Sequence, residues 1–331
     1  MPKILALTYN DWANTGWRFT QCLRSLGLDV TYYKGRPHKF QYASEGPIYP
    51  ALTDGMMLSQ YPVAILCKEL REEVERADIL HFFASTMVVT GANLTGKKIV
   101  VNHGGSTFRI GTEAVKAAFN PYVDYSIIQC PDLLGLGAKN EVLIYYPVDT
   151  EALQPDYVPH EKIVIGHWPS SPHNKGTREI VEVIERLERD PSIKDRFVYV
   201  GQRVLGKQTI PWPDHLDRVR GCDVIIESMQ PDIDGRRFGE WGNQAIEASA
   251  LGKVVITNML SEDTYREHYG ECALRIANEP AQLESQLRSL FSMSADQLLM
   301  EKIQSRDWVV KNHSMNATAQ RLWDKVYRHI V

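Results

Sequence analysis

No stretch of the sequence approaches the roughly 20 consecutive apolar residues of a membrane-spanning helix, so any membrane contact is expected to be peripheral. The opening MPKILALTYN is interrupted by polar residues too soon for a secretory signal, and reads as a first strand entering a loop. Cysteine is scarce. Cys22, Cys67, Cys130, Cys222 and Cys272 are odd in number and scattered, with no CxxC and no metal-ligand spacing, which argues against a disulfide framework and for a reducing compartment. The expected location is the cytoplasm, with a peripheral place at the inner membrane face left open. A basic stripe is missing too: 37 Lys and Arg stand against 41 Asp and Glu, for a net charge of −4, and the two signs are interspersed. Nucleic acid is therefore not an expected partner. The one local basic cluster, Lys34, Arg36, His38 and Lys39, reads as a solvated loop or as a contact for an acceptor or an anionic membrane surface. With 44% apolar and 24% charged residues, neither a fibrous nor a disordered chain is indicated.

What is present is enough chain for two cores. At 331 residues the natural expectation is two domains of roughly 150 residues each. In the first half, short apolar runs at 4–7, 30–33, 79–82, 99–101, 125–128 and 141–144 alternate with amphipathic stretches, the pattern of a parallel sheet covered on both faces. Residues 15–25 carry Phe19, Cys22 and Leu23 at helical spacing and stop before Gly27, where a left-handed cap strains glycine least. The segment YYPVDTEALQPDYVP (145–159) holds three prolines and reads as a crossing between domains. A second series follows: strands at 163–166, 197–201, 222–226, 254–257 and 273–276, with helices at 177–189 and 243–251. The expected fold is α/β, two Rossmann-like doubly wound domains, 1–150 and 151–314, facing each other across a ligand cleft. Helical patterning returns at 281–291 and 301–331, where Trp308, Trp323 and Tyr327 read as core.

In such units ligands bind beyond the carboxyl ends of the strands, where loops and helix starts present free N–H groups to an anion. Three segments lie there. In VNHGGSTFR (101–109), Gly104 and Gly105 permit close backbone approach and His103 can donate or accept near neutral pH, although a lone histidine is often structural. In GHWPSSPHNKGT (166–177), Ser170, Ser171 and the amides near Gly176 offer donors while Lys175 supplies a point charge at a helix start; the loop lacks the GxxxxGK[ST] of a Walker A site, and a solvated lysine is the plain alternative. In FGEWGNQAIEASALG (238–252), glycines break the chain before a short alanine-rich helix on which Asn243 and Glu247 share a face. A buried carboxylate there needs hydrogen-bond donors, and ribose hydroxyls are suitable; a solvated glutamate on an exposed face is the alternative. Glu240 lies within reach of a sugar in this reading.

GEWGNQAIEASALGKVVIT resembles the donor motif of GT-B-fold glycosyltransferases of the retaining family 4 type, in which two glutamates flank seven residues, typically E-G-F-G-L-P-x-L-E-A-x-A-x-G. HGGSTFR is similar to that family's first-domain HGSDxR loop, CPDLL followed by YYPVDTEALQP to its exit from the first domain, and PSSPHNKGT to its PSxxxxKGT phosphate loop. SRDWVVKNHSMNATAQRLWDKVYRHI resembles the terminal helices that cross back onto the first domain, here about 315–331. The resemblance implies that Lys175 binds a diphosphate with Ser171, Gly242 and Asn243 close by, that Glu247 holds the ribose, and that Gly16 lies near the donor phosphates. It also implies that His103 meets the donor sugar near the reacting carbon, with Glu240 as the sugar-reading carboxylate. Two positions depart from the pattern. Gly239 stands where the first glutamate belongs, with Glu240 displaced by one, and the arginine about six residues before the lysine is missing; Arg203, Arg236 or Arg237 are candidates to replace its charge. Asp232-Ile233-Asp234 spells the DxD of another transferase fold, but in this context a metal is not expected. The implied activity is metal-independent, cofactor-free retaining transfer of a sugar from a nucleoside-diphosphate sugar to a hydroxyl acceptor. A sugar-nucleotide epimerase or hydrolase, and a sugar-nucleotide-binding module without catalysis, are the alternatives.

Overall fold

The computed structural model describes residues 1–42, 45–48, 63–65, 68–83, 87–90, 93–206, 208–230, 232–233, 236–237 and 240–331. Cys67, Asp234, Phe238 and Gly239, named above, lie outside these residues. The chain divides into two compact units, Met1–Pro147 with Met315–Val331, and Val148–Ser314.

The first unit carries strands β1 (Lys3–Thr8), β2 (Asp29–Lys34), β3 (Val63–Ile65), β4 (Ile79–Phe82), β5 (Met87–Thr90), β6 (Lys98–His103), β7 (Tyr125–Ile128) and β8 (Glu141–Leu143). Its helices are α1 (Thr15–Ser25), α2 (Lys68–Arg76), α3 (Gly105–Ile110) and α4 (Thr112–Phe119). Six strands pair in the order β2-β1-β4-β6-β7-β8, all parallel. Residues 4–8 of β1 and 99–103 of β6 are buried without alternation, as strands covered on both faces must be. α1 turns Phe19, Cys22 and Leu23 onto this sheet and ends at Gly27, whose φ of +79° is the left-handed cap. The terminal helix α11 (Met315–Lys325) closes the same core, with Ala319, Leu322, Val326 and Tyr327 packed among Phe19, Ile79 and Ile127. A buried polar relay secures it: the Tyr327 hydroxyl donates to His81 Nδ1 at 2.7 Å, and His81 Nε2 donates to Asn102 Oδ1 at 2.6 Å.

The second unit holds β9 (Ile163–Gly166), β10 (Phe197–Tyr199), β11 (Val224–Ile226), β12 (Asp232–Ile233), β13 (Arg236–Arg237), β14 (Val254–Thr257) and β15 (Arg275–Ile276). Its helices are α5 (Thr177–Arg189), α6 (Trp212–Arg220), α7 (Asn243–Ala250), α8 (Glu262–Tyr269), α9 (Pro280–Phe291) and α10 (Ala295–His313). Five strands run parallel in the order β10-β9-β11-β14-β15. α5 buries Ile180, Val183, Ile184 and Leu187, an i, i+3, i+4, i+7 stripe worth about 2 kcal/mol for each side chain taken fully from water. Asp223 accepts from the Val164 amide at 2.8 Å and pairs with Lys302, fixing α10 to the sheet. Arg306 donates to the carbonyls of Thr150, Leu153 and Ala250, so the proline-rich segment after 147 is clasped into this unit.

The strands at 197–201, 222–226 and 273–276 expected from the sequence are shorter here, at 197–199, 224–226 and 275–276. Helices α2, α3, α4, α6 and α8 are ones to which periodicity assigned no bounds. Sheet order fixes where a ligand belongs in each unit. In the second, chain order reverses at β9, which has β10 on one side and β11 on the other, so its crevice opens beyond the ends of β9 and β11. Among the described residues no helix is long and apolar enough to cross a membrane.

Candidate functional site

Beyond β9 the chain is locked before it reaches Lys175. His167 is fully buried and donates from Nδ1 to the Ile226 carbonyl at 2.7 Å while Nε2 accepts from the Thr177 hydroxyl at 2.9 Å. Burial lowers its pKa to about 4, so the ring is neutral and welds the loop to β11 and α5. Ser170 is exposed and Ser171 half-buried in the bend that follows. A single helical turn, His173–Lys175, then ends at Gly176 with φ +67°. An added Cβ at Gly176 would stand 2.3 Å from the Met229 carbonyl oxygen, so glycine is required twice over, by conformation and by space. That close approach lets the Met229 amide donate to the Lys175 carbonyl at 3.0 Å.

The Lys175 ammonium forms an ion pair with Glu227, the first residue beyond β11. Glu227 is 1% exposed, its amide donates to the Ile256 carbonyl at 2.8 Å, and its second oxygen accepts from Thr257 Oγ1 at 2.9 Å. Gly242, the residue capping α7, faces this pair: a Cβ there would lie 3.4 Å from Glu227 Oε1 and 3.6 Å from Lys175 Nζ. The ammonium therefore sits at the N-terminus of α7, whose first turn is Asn243–Ile246 and whose leading amides attract anions. Glu247 is 4% exposed and accepts from the indole Nε1 of Trp212 at 3.1 Å, which excludes the solvated carboxylate on an exposed face. Burial lowers the pKa of His215, and Glu247 opposes that shift, so the carboxylate acts on two side chains of α6. Lys175 and Gly242 are thus brought together by one loop and one helix start, with Ser171 four residues before the lysine and Asn243 and Glu247 on the first two turns of α7. Glu227 and Trp212 complete the group without having been singled out in the sequence.

Three expected residues have other partners. His103, the last residue of β6, is 1% exposed, with ring centroids 4.6 Å from Phe108 of α3 and 5.4 Å from Phe119 of α4. Burial lowers its pKa to about 3, so it is a neutral ring packed inside the first unit. Glu240 is buried, and its Oε1 accepts from the Ser261 amide at 3.0 Å, at the entry to α8. Gly16 does not offer its N–H to a phosphate: Asp11 Oδ1 accepts it at 2.6 Å, Oδ2 takes the Trp17 amide at 2.9 Å, and the Tyr32 hydroxyl donates to the same carboxylate at 2.7 Å. A Cβ there would press on Phe83 at 3.0 Å and Tyr32 at 3.2 Å. Of the replacement arginines, Arg203 is bound by Glu188 at 2.6 Å and lies over the Tyr199 ring. Asp232 lies on β12 of a short antiparallel pair with β13, and among the described residues no group of three His, Cys, Asp or Glu side chains is arranged to hold a metal ion.

No protein-family model matches the chain, and no curated protein matches it in sequence. Solved structures match over its full length. Sucrose-phosphate synthase from Thermosynechococcus elongatus is 12% identical with a TM-score of 0.60, covering 100% of this chain and 99% of its own. HepE of Anabaena, solved in complex with UDP-glucose, is 11% identical with a TM-score of 0.63, covering 98% and 99%. Trehalose-6-phosphate synthase, from a study of glycosyl transfer with retention, is 11% identical with a TM-score of 0.59, covering 99% of each chain. Two parallel doubly wound units, in this order along the chain and matched end to end by these enzymes, make this a chain with the GT-B glycosyltransferase fold.

Proposed function

We propose that the protein is a glycosyltransferase that moves a sugar from a nucleoside-diphosphate sugar to a hydroxyl acceptor, with retention of configuration and without a metal ion. The observation that carries this reading is the Lys175 ammonium held at the N-terminus of α7, with the buried Glu247 in the next turn of the same helix. A diphosphate leaving group needs positive charge that is already in place, and a lysine with helix-start amides supplies it. Glu247 is suited to accept from ribose hydroxyls, oriented by Trp212. In this mechanism the bond between the anomeric carbon and the diphosphate oxygen breaks, the acceptor oxygen attacks from the same face, and the departing phosphate oxygen takes its proton. Lys175 and the α7 amides stabilise the charge that develops, and no protein nucleophile is required.

The solved neighbours add support: HepE was crystallised with UDP-glucose, and trehalose-6-phosphate synthase was studied as a retaining enzyme. For the acceptor, support comes from the first unit. There Trp12 is 57% exposed in the loop between β1 and α1 with its ring perpendicular to that of His38, and Arg36 lies over the Tyr9 ring at 4.5 Å. Such an aromatic and basic surface suits a saccharide that carries negative charge.

Titration of UDP, GDP and ADP sugars against the wild type, Lys175→Ala and Glu247→Ala tests the site. One donor should bind the wild type, Lys175→Ala should lose most turnover, and Glu247→Ala should weaken nucleotide binding about tenfold or more. Near-normal affinity and turnover in both variants would refute the site. Inversion in the first-formed product by NMR would refute retention, and loss of activity in EDTA would refute metal independence. Donor binding without turnover on any acceptor would favour the binding module over the enzyme.

A further inference from the structure

The Lys175–Glu227 pair goes beyond what donor binding demands. A lone lysine with its ammonium in water already serves a phosphate, whereas here the charge is answered by a carboxylate that is 1% exposed. Glu227 is rigid on every side. Its backbone is tied to β14 by the bond to Ile256, its Oε2 is held by Thr257, and its Oε1 faces both Lys175 and the space above Gly242. Lysine is a flexible four-carbon stem carrying a point charge, and it points usefully only when something fixes its rotamer. A second consequence is electrostatic. With Pro169 at the place six residues before Lys175, the lysine is answered by one full negative charge and no arginine reinforces it from that position.

We propose that Glu227 is a positioning residue for Lys175, one that aims the ammonium across Gly242 and cancels its charge, so that the site grips a diphosphate by geometry and releases the nucleotide readily. This rests on the donor-site reading above. Charge and aim separate in two substitutions. Glu227→Gln keeps an oxygen toward Lys175 and turns its amide nitrogen to Thr257 Oγ1, which as a hydroxyl accepts as well as donates; the aim survives and the counter-charge is gone. Glu227→Ala removes both.

The test is calorimetric titration of UDP, GDP and ADP into the full chain, as wild type, Glu227→Gln, Glu227→Ala, Lys175→Ala and Lys175→Ala/Glu227→Gln, with kcat and KM on the donor that binds. Glu227→Gln should bind its nucleoside diphosphate about tenfold more tightly, with a steeper loss of affinity in salt and a lower kcat as nucleotide release slows. Glu227→Ala should bind at least about fivefold more weakly than Glu227→Gln, because the ammonium is no longer aimed. In the Lys175→Ala background the Gln substitution still removes the carboxylate's repulsion of the phosphate and should raise affinity from a weaker starting point. Thr257→Val, which frees the carboxylate while keeping both charges, should weaken binding about threefold and serves if the Glu227 variants fail to fold. Equal affinities for Gln and Ala, or no gain in affinity for Glu227→Gln, would overturn the proposal while leaving the donor site standing. A wild type that binds none of the three nucleotides would overturn both.

Discussion

The indole N–H of Trp212, the first residue of α6, donates to Glu247 Oε1 on α7 at 3.1 Å, across 35 positions of sequence. A buried carboxylate keeps its direction through such bonds, and removing one partner exposes the other to the full desolvation penalty. Trp212→Phe should therefore weaken binding of the nucleoside diphosphate about tenfold and lower unfolding free energy by about 1 kcal/mol. Combined with Glu247→Gln, it should add little to either loss. Additive losses in calorimetry would show that Trp212 acts independently of the carboxylate.

Gly242 is extended, with φ −117° and ψ −168°, a conformation open to any residue, and a Cβ there meets the ion pair at 3.4 and 3.6 Å without overlap. Gly242→Ala should fold with a melting temperature close to wild type. Its methyl group would nevertheless cover the ammonium, and nucleotide affinity should fall at least about tenfold. Unchanged affinity would mean that the ligand does not approach Lys175 over this residue.

Two other glycines should behave in the opposite sense. At Gly176 a Cβ would overlap the Met229 carbonyl at 2.3 Å in a left-handed conformation, so Gly176→Ala should destabilise the second unit by about 2–4 kcal/mol. Gly16→Ala presses against the Phe83 ring at 3.0 Å and should cost about 1–2 kcal/mol in the first unit, with donor affinity largely intact because the Gly16 amide already serves Asp11. Urea unfolding beside nucleotide titration reads both quantities. A stable Gly16→Ala protein that has lost its donor would restore the glycine to the ligand.

Acid should unfold the protein through its histidines. Burial lowers the pKa of His81 and His167 to about 4 and that of His103 to about 3, against about 6.5 for imidazole in an unfolded chain. Below pH 6.5 the unfolded state takes up protons that the folded state refuses, so stability is complete above about pH 6.5 and is lost as pH falls toward 4. The urea midpoint should drop steadily from pH 7 to pH 5, with proton uptake on unfolding of about four or more, since His38 is also lowered to about 4 and His215 is lowered too. A flat midpoint across that range would contradict it.

The sequence made the two doubly wound series legible because parallel strands are continuous apolar runs and α1 and α5 carry unbroken helical stripes. Helices such as α6, WPDHLDRVR, escape that reading: only Leu216 and Val219 are buried, too few to mark a period. At the candidate site, Lys175, Gly242 and Glu247 were visible through motif and helix position. Glu227 was not, since one acid after three apolar residues says nothing of a lysine 52 positions earlier. The burial of His103 was not legible either. A strand end beside two glycines looks open, but β6 continues through residue 103, and Phe108 and Phe119 close over the ring.

The place of α11 bears on how the molecule is made. Residues 315–331 belong to the core built by residues 1–147, yet leave the ribosome only after the whole of Val148–Ser314. Until then the apolar faces that receive Leu322, Val326 and Tyr327 stay uncovered, and His81 Nδ1 lacks the hydroxyl that satisfies it. The core of the first unit can therefore be completed only once residues 315–331 have been made, after the whole of the continuous second unit.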